Sequence, residues 1–160
     1  MTKDEYIKAV KRNSNRLYLI ALSYLQNHYD AEDVMQEVLL KLWKTKKAFN
    51  DEEHIDKWLT ISCIHKCKDR FKSPFAKKTV PVDEINELYT FDSIKSLDIF
   101  NAVMSLPKNE RLAVHLFYYE DMPINEIATM LKCKPSAVKT RLHRARKHLK
   151  EILGDDWINE

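Results

Sequence analysis

A single glycine, Gly154, serves all 160 residues of this chain. Tight β-hairpin turns place residues at positive φ, which glycine adopts at least cost. A chain with one glycine and 5 prolines is short of such turns, and this favours helices over hairpins. The length fits one compact domain or two small ones. Hydrophobic residues, at 44%, suffice for real cores, and charged residues, at 32%, exceed the usual share.

The apolar run Leu17 to Leu25 is too short to span a bilayer. Asp4 and Glu5 precede it and no small-residue cleavage site follows, so no signal peptide is expected. Three cysteines, an odd number, suit a reducing compartment better than a disulfide framework. The expected location is the cytoplasm.

Helical periodicity organises most of the chain. Tyr6, Val10, Leu17, Ile20, Ala21 and Tyr24 recur at helical spacing between Glu5 and Gln26. Asp30 reads as the N-cap of a second helix running to about Lys46, with Asp33 as a capping-box acid. Val34, Val38 and Leu42 mark its buried stripe. The segment Phe49 to Asp56 is polar and reads as a loop. A third helix starts at Asp56 or Lys57 and carries Trp58, Leu59, Ile61, Ile64 and Phe71. It ends near Ser73, because Pro74 disfavours helix in the residue before it. Its second half is basic, with Lys66, Lys68, Arg70 and Lys72.

Residues 74–95 contain Pro74 and Pro81 and lack steady periodicity. They read as a linker, with a short helix near Ile85 to Tyr89. Helical pattern returns over Leu97 to Met104, Pro107 to Tyr119, Pro123 to Leu131 and Pro135 to about Leu153. The expected fold is all-α, with helical units over 1–73 and 96–160.

The last two helices and their short turn make a helix-turn-helix. Ile127, Ala128, Leu131, Val138 and Leu142 can fill the core between them. From Lys132 to Lys150 there is no acid, although the whole chain is nearly balanced at a formal net charge of +3. Ser136, Lys139, Thr140, His143 and Arg144 share the outward face and suit base edges in a major groove. Arg141, Arg146, Lys147 and Lys150 suit phosphates, which give affinity rather than sequence choice. A cationic amphipathic helix can also lie on a membrane or a peptide partner. The short helix and turn before it favour DNA.

The second helix answers an opposite need. Asp33, Gln36 and Glu37 fall at i, i+3 and i+4 and share one face, which Leu40 extends and Trp43 ends. Such a face suits a basic or polar protein surface with apolar anchors. It also suits an ordinary solvated first turn, where acids favour the helix dipole.

Cys63, His65 and Cys67 do not share a helix face, so small buried thiols are expected rather than a metal site. No glycine-rich phosphate loop and no nucleophile with a partnered His and Asp occurs. No enzyme activity, no metal and no cofactor is expected.

These blocks, in this order, resemble the extracytoplasmic-function group of bacterial RNA polymerase sigma factors. "DAEDVMQEVLLKLW" is similar to that family's region 2.2, and "WLTISCIHKCKDRFK" to regions 2.3 and 2.4. "LPKNERLAVHLFYYEDMPINEIATMLKCKPSAVKTRLHRARKHL" is similar to region 4. The resemblance implies a transcription initiation factor that binds core polymerase and reads minus-10 and minus-35 elements. It implies docking of Asp33, Gln36, Glu37 and Leu40 on the β′ clamp helices, and of region 4 on the β flap. The loop Phe49 to Lys57 would capture a flipped minus-10 base. Asn50, Asp51, His54, Lys57, His65, Lys66, Lys68 and Arg70 are the implied minus-10 contacts. Lys134, Ser136, Lys139, Thr140, Arg141, His143, Arg144 and Lys147 are the implied minus-35 contacts. Asp83, Glu84, Glu87 and Asp92 would suit the linker to the RNA exit path. The family usually has an anti-sigma partner. Four positions depart from its pattern: Lys132 for Gly in the turn, Lys134 for a Ser cap, His65 for Asn and Ile61 for Arg. A stand-alone helix-turn-helix regulator is the competing reading. It leaves the acidic helix and the Trp58 helix without a role.

Overall fold

The structure, a computed structural model, describes residues 1–72 and 94–154. It contains α-helices and no strand among those residues. The segment between, with the expected helix near Ile85 to Tyr89 and the four linker acids, lies outside the described residues. The chain divides into two units, Met1–Val80 and Pro81–Glu160.

In the first unit, α1 (Lys3–Leu25), α2 (His28–Lys44) and α3 (Glu52–Phe71) each pack against the other two. Thr2 and Glu5 form a reciprocal capping box that starts α1. Leu17, Ile20 and Leu22 of α1 meet Val34, Val38 and Leu42 of α2 and Leu59 and Ile64 of α3 in a closed core. Cys63 and Cys67 are buried in it, and burial pushes the Cys67 thiol well above its ordinary value. Among the described residues, no group of His, Cys, Asp or Glu is arranged to hold a metal ion.

Two boundaries differ from expectation. The cap of α2 is Asn27, whose side chain accepts the Asp30 N–H at 3.1 Å. Asp30 therefore sits one turn inside the helix and is buried. Only Gln26 and Asn27 separate α1 from α2, so the way the chain leaves α1 decides which residue meets the first free N–H groups. Helix α3 begins at Glu52, within the stretch expected to be loop. Asp51, in extended backbone, accepts the His54 N–H at 2.8 Å, and Glu52 and Glu53 suit the helix dipole.

A polar network joins α1 to α3. Arg12 donates to both Asp56 oxygens at 2.8–3.0 Å, and the buried Asn13 donates to Oδ1 at 2.8 Å. Arg16 donates to the Asp56 carbonyl at 2.9 Å and to Thr60 Oγ1 at 2.6 Å.

The second unit holds α4 (Ile94–Met104), α5 (Lys108–Val114), a π-helical turn (His115–Tyr119), α6 (Ile124–Leu131) and α7 (Pro135–Leu153). Helix α7 contacts α4, α5 and α6. Phe100, Leu116, Ile127, Val138, Leu142 and Leu149 form its core. Met130 is buried more deeply than Leu131, the residue expected there. The expected helix to Tyr119 instead widens into the π turn after Val114.

Glycine's scarcity reappears in the backbone. Gln26, Asp121 and Lys132 all sit at φ between 51° and 55°. Lys132 ends α6 in the left-handed region where the family resemblance suggests glycine, so the turn keeps its shape and the lysine bears the strain. That conformation costs an L-residue roughly 1–2 kcal/mol. Glycine returns part of this through its freer unfolded state. Lys132→Gly is therefore expected to stabilise the protein by about 1 kcal/mol, read as a higher urea midpoint at unchanged slope. A lower midpoint would refute the strain.

Candidate nucleic-acid interface

Pro135 opens α7, and Lys134 makes no side-chain cap bond, as expected of a lysine at that position. Val138, Leu142 and Ala145 face the core. Their spacing turns Ser136, Lys139, Thr140, His143, Arg144 and Lys147 outward, and all six are exposed. Thr140 donates to the Ser136 carbonyl at 3.0 Å, which keeps its oxygen available as an acceptor. Arg141 is half-buried, with Nη1 3.7 Å from Cys133 Sγ, so it packs back on the turn.

The π turn supplies a residue that sequence reasoning missed. Tyr118 accepts a 2.7 Å hydrogen bond from Arg146 Nε, and the guanidinium lies 5.8 Å from the centre of its ring. This contact orients Arg146 beside the outward face. His148 Nδ1 lies 2.7 Å from Glu110 Oε2 and ties α5 to α7. Glu110 and Arg111 are both buried. Burial pushes Arg111 down to about 10, so it stays charged at neutral pH while donating to the Leu106 carbonyl.

In the first unit the α2–α3 connection is built rather than loose. Phe49 packs edge-on against both His54 and Trp58, at 5.2 and 5.6 Å between centroids. Lys41 Nζ lies 5.5 Å from the centre of the Trp58 ring. The Asn50 N–H donates to His54 Nδ1 at 3.1 Å. Beside this connection lies a groove of about 550 Å³ of mixed charge, lined by Glu5, Lys8 and Arg12 of α1, by Lys47, Phe49, Asn50 and Asp51, and by Glu52 of α3.

On α3, Lys57 and His65 are exposed, as is Lys72 at its C-cap, with Lys57 3.2 Å from Glu53. Helical phase lines them up with Ile61 and the half-buried Lys68 in one stripe. Lys66 and Arg70 lie on another face, turned to α2. Arg70 reaches Asp30 at 3.5 Å, Asp33 at 3.7 Å and Glu37 at 3.0 Å. Lys66 stands 3.9 Å from Glu37. The structure thus brings two expected strand contacts onto the expected docking row. Asp33, Gln36, Glu37 and Leu40 are all exposed on α2. Trp43 continues that row, 49% exposed, with its ring 4.9 Å from that of Tyr6.

A helix-turn-helix with no acid from Lys132 to Lys150, and a separate helical unit carrying a charged row and an aromatic-closed connection, define a two-part DNA-binding protein. The Sigma-70 region 2 model matches residues 9–74, and the Sigma-70 region 4 model matches residues 96–149. The chain belongs to the sigma-70 family of RNA polymerase sigma factors, in its ECF group. It is 29% identical over 149 residues to RNA polymerase sigma factor SigV of Bacillus subtilis (strain 168), covering 91% of this chain and 89% of that one. It is 26% identical over 146 residues to ECF RNA polymerase sigma factor SigM of Mycobacterium tuberculosis, covering 90% and 74%. The fold is similar to that of the sigma factor RpoE of Bartonella quintana, solved in complex with the anti-sigma factor NepR. The TM-score is 0.72, at 20% identity over 95% of this chain and 98% of that one.

Proposed function

We propose that this protein is a transcription initiation factor that binds core RNA polymerase and directs it to promoters through minus-10 and minus-35 elements. The observation that carries this reading is the order of parts: region 2 with an exposed row of Asp33, Gln36, Glu37 and Leu40, then region 4 with a recognition helix that carries no acid up to Lys150. Asp33, Gln36, Glu37 and Leu40 dock on the polymerase. The groove beside Asn50 and Asp51 takes a flipped minus-10 base. Flipping costs a few kcal/mol, which contacts in a fitted pocket must offset. The stripe Lys57, His65 and Lys68 follows the non-template strand, where cations and stacking groups work together. The chemistry of RNA synthesis stays with the polymerase, and the protein acts in the cytoplasm. No helix among the described residues is long and apolar enough to cross a membrane. A partner that covers the DNA-binding faces, as an anti-sigma factor does, is part of the same reading.

Run-off transcription with core polymerase on genomic promoters tests the proposal. Specific transcripts that need both proteins are expected. A protein that binds its operator alone and never co-purifies with core would instead be a stand-alone regulator.

The recognition helix divides into readers and holders. Lys139→Ala or Arg144→Ala is expected to cost about 1–3 kcal/mol and to relax preference at one minus-35 position. Lys147→Ala is expected to weaken all sequences alike and to lower the salt slope by about one. A panel of single-base minus-35 duplexes, titrated at several salt concentrations, separates them. Uniform losses for Lys139→Ala and Arg144→Ala would reduce α7 to an electrostatic clamp.

A further inference from the structure

We infer that Arg70 is a positioning residue of the polymerase-docking face and not a contact to the promoter strand. The inference rests on the docking role proposed for Asp33 and Glu37. Asp30, Asp33 and Glu37 succeed one another along one face of α2, where like charges repel. Arg70 answers all three. Its Nη1 faces Asp30 and Asp33, and its Nη2 donates to Glu37 at 3.0 Å.

Two facts pin it there. The Asp30 side chain is only 4% exposed, so its contact with Arg70 is shielded from water. The phase of α3 also points Arg70 away from the strand-facing stripe. It lies five residues beyond His65, about 140° around the helix. Lys66 flanks the group more loosely, at 3.9 Å from Glu37 and 42% exposed.

Asp33 and Glu37 remain about half exposed, so each keeps an oxygen edge for a partner. A guanidinium can serve several carboxylates in fixed directions, which one ammonium cannot. Arg70 thereby orders the two docking carboxylates before the polymerase arrives. Side chains already ordered lose less freedom on binding.

Full-length Arg70→Gln and Arg70→Lys test this against the unchanged protein. The readouts are affinity for core RNA polymerase, affinity and salt slope for a random-sequence single-stranded DNA pool, and melting temperature. Arg70→Gln is expected to weaken core binding about tenfold, and Arg70→Lys to recover part of that loss. Strand affinity and salt slope should stay unchanged in both. In a chain already carrying Asp33→Asn and Glu37→Gln, the further loss from Arg70→Gln should fall below about twofold. Arg70→Lys carries the same comparison if Arg70→Gln fails to fold.

A normal core affinity with a strand slope reduced by about 0.7 would make Arg70 a phosphate contact and overturn the inference. An undiminished loss in the Asp33→Asn, Glu37→Gln background would overturn it as well, because Arg70 would then support only the fold. Wild-type core binding by the Asp33→Asn, Glu37→Gln chain would refute the docking reading itself. Changes at Arg70 alone cannot produce that result.

Discussion

Replacing both Asp33 and Glu37 with Lys is expected to abolish capture of core RNA polymerase while leaving the protein helical. The two carboxylates are half exposed, so neither is needed to fill the core. Buried Asp30 still holds Arg70. The reversed row would place two lysines beside Arg70 and Lys66, turning an interleaved surface into a cationic one. Like charges brought together across an interface cost several kcal/mol, so the loss should be on the order of a hundredfold or more. Co-purification with core polymerase reads the effect, with helical content and minus-35 duplex binding as controls. Capture at the wild-type level would take the docking role away from α2.

Asp56→Ala is expected to destabilise the first unit by about 2–3 kcal/mol, the scale of hydrogen bonds to charged groups. For a unit of this size that lowers the melting temperature by roughly 10–20 °C. The residue accepts from Arg12 and from fully buried Asn13. Its removal leaves cationic and amide donors without their acceptor in a partly enclosed site. The pH dependence carries a sign. Burial raises the Asp56 carboxyl, but hydrogen bonds from Arg12 and Asn13 and the charges of Arg12 and Arg16 outweigh it. The result lies below the ordinary value of 3.8. A carboxyl lowered in the folded state contributes fully above its unfolded value and loses that contribution as pH falls through the folded one. The wild type should therefore shed this share of its stability below about pH 4, and Asp56→Asn should lack that component. Thermal melts of both across acid pH measure it. Parallel curves would mean that the Asp56 charge does not support the fold.

Asp56 also marks a limit of what local sequence pattern determines. It was expected to be the last residue of a loop or the first of a helix. It lies a full turn inside α3 and joins that helix to α1 through residues 43 and 44 positions away in sequence. Nothing in the local pattern around Arg12, Asn13 or Asp56 announces that pairing. Tyr118 was missed for the same reason: its partner Arg146 is 28 residues on, reached only after the π turn.

What the sequence determined by itself was local in origin. One glycine excluded most hairpins. Apolar spacing of three and four marked α1, α2 and α7, and prolines marked where α5, α6 and α7 begin. The acid-free run after Lys132 and the row Asp33, Gln36, Glu37 and Leu40 were legible because residues three and four apart share a helix face. The tertiary structure decided what those faces meet. It put Asn27 rather than Asp30 at the cap, held Lys132 in the left-handed region and turned Arg70 onto the acids of α2. A charge pattern along one helix says which residues point together. Which carboxylate a guanidinium reaches depends on how two helices dock, and that is settled by the burial of Leu17, Val38, Leu59 and their neighbours.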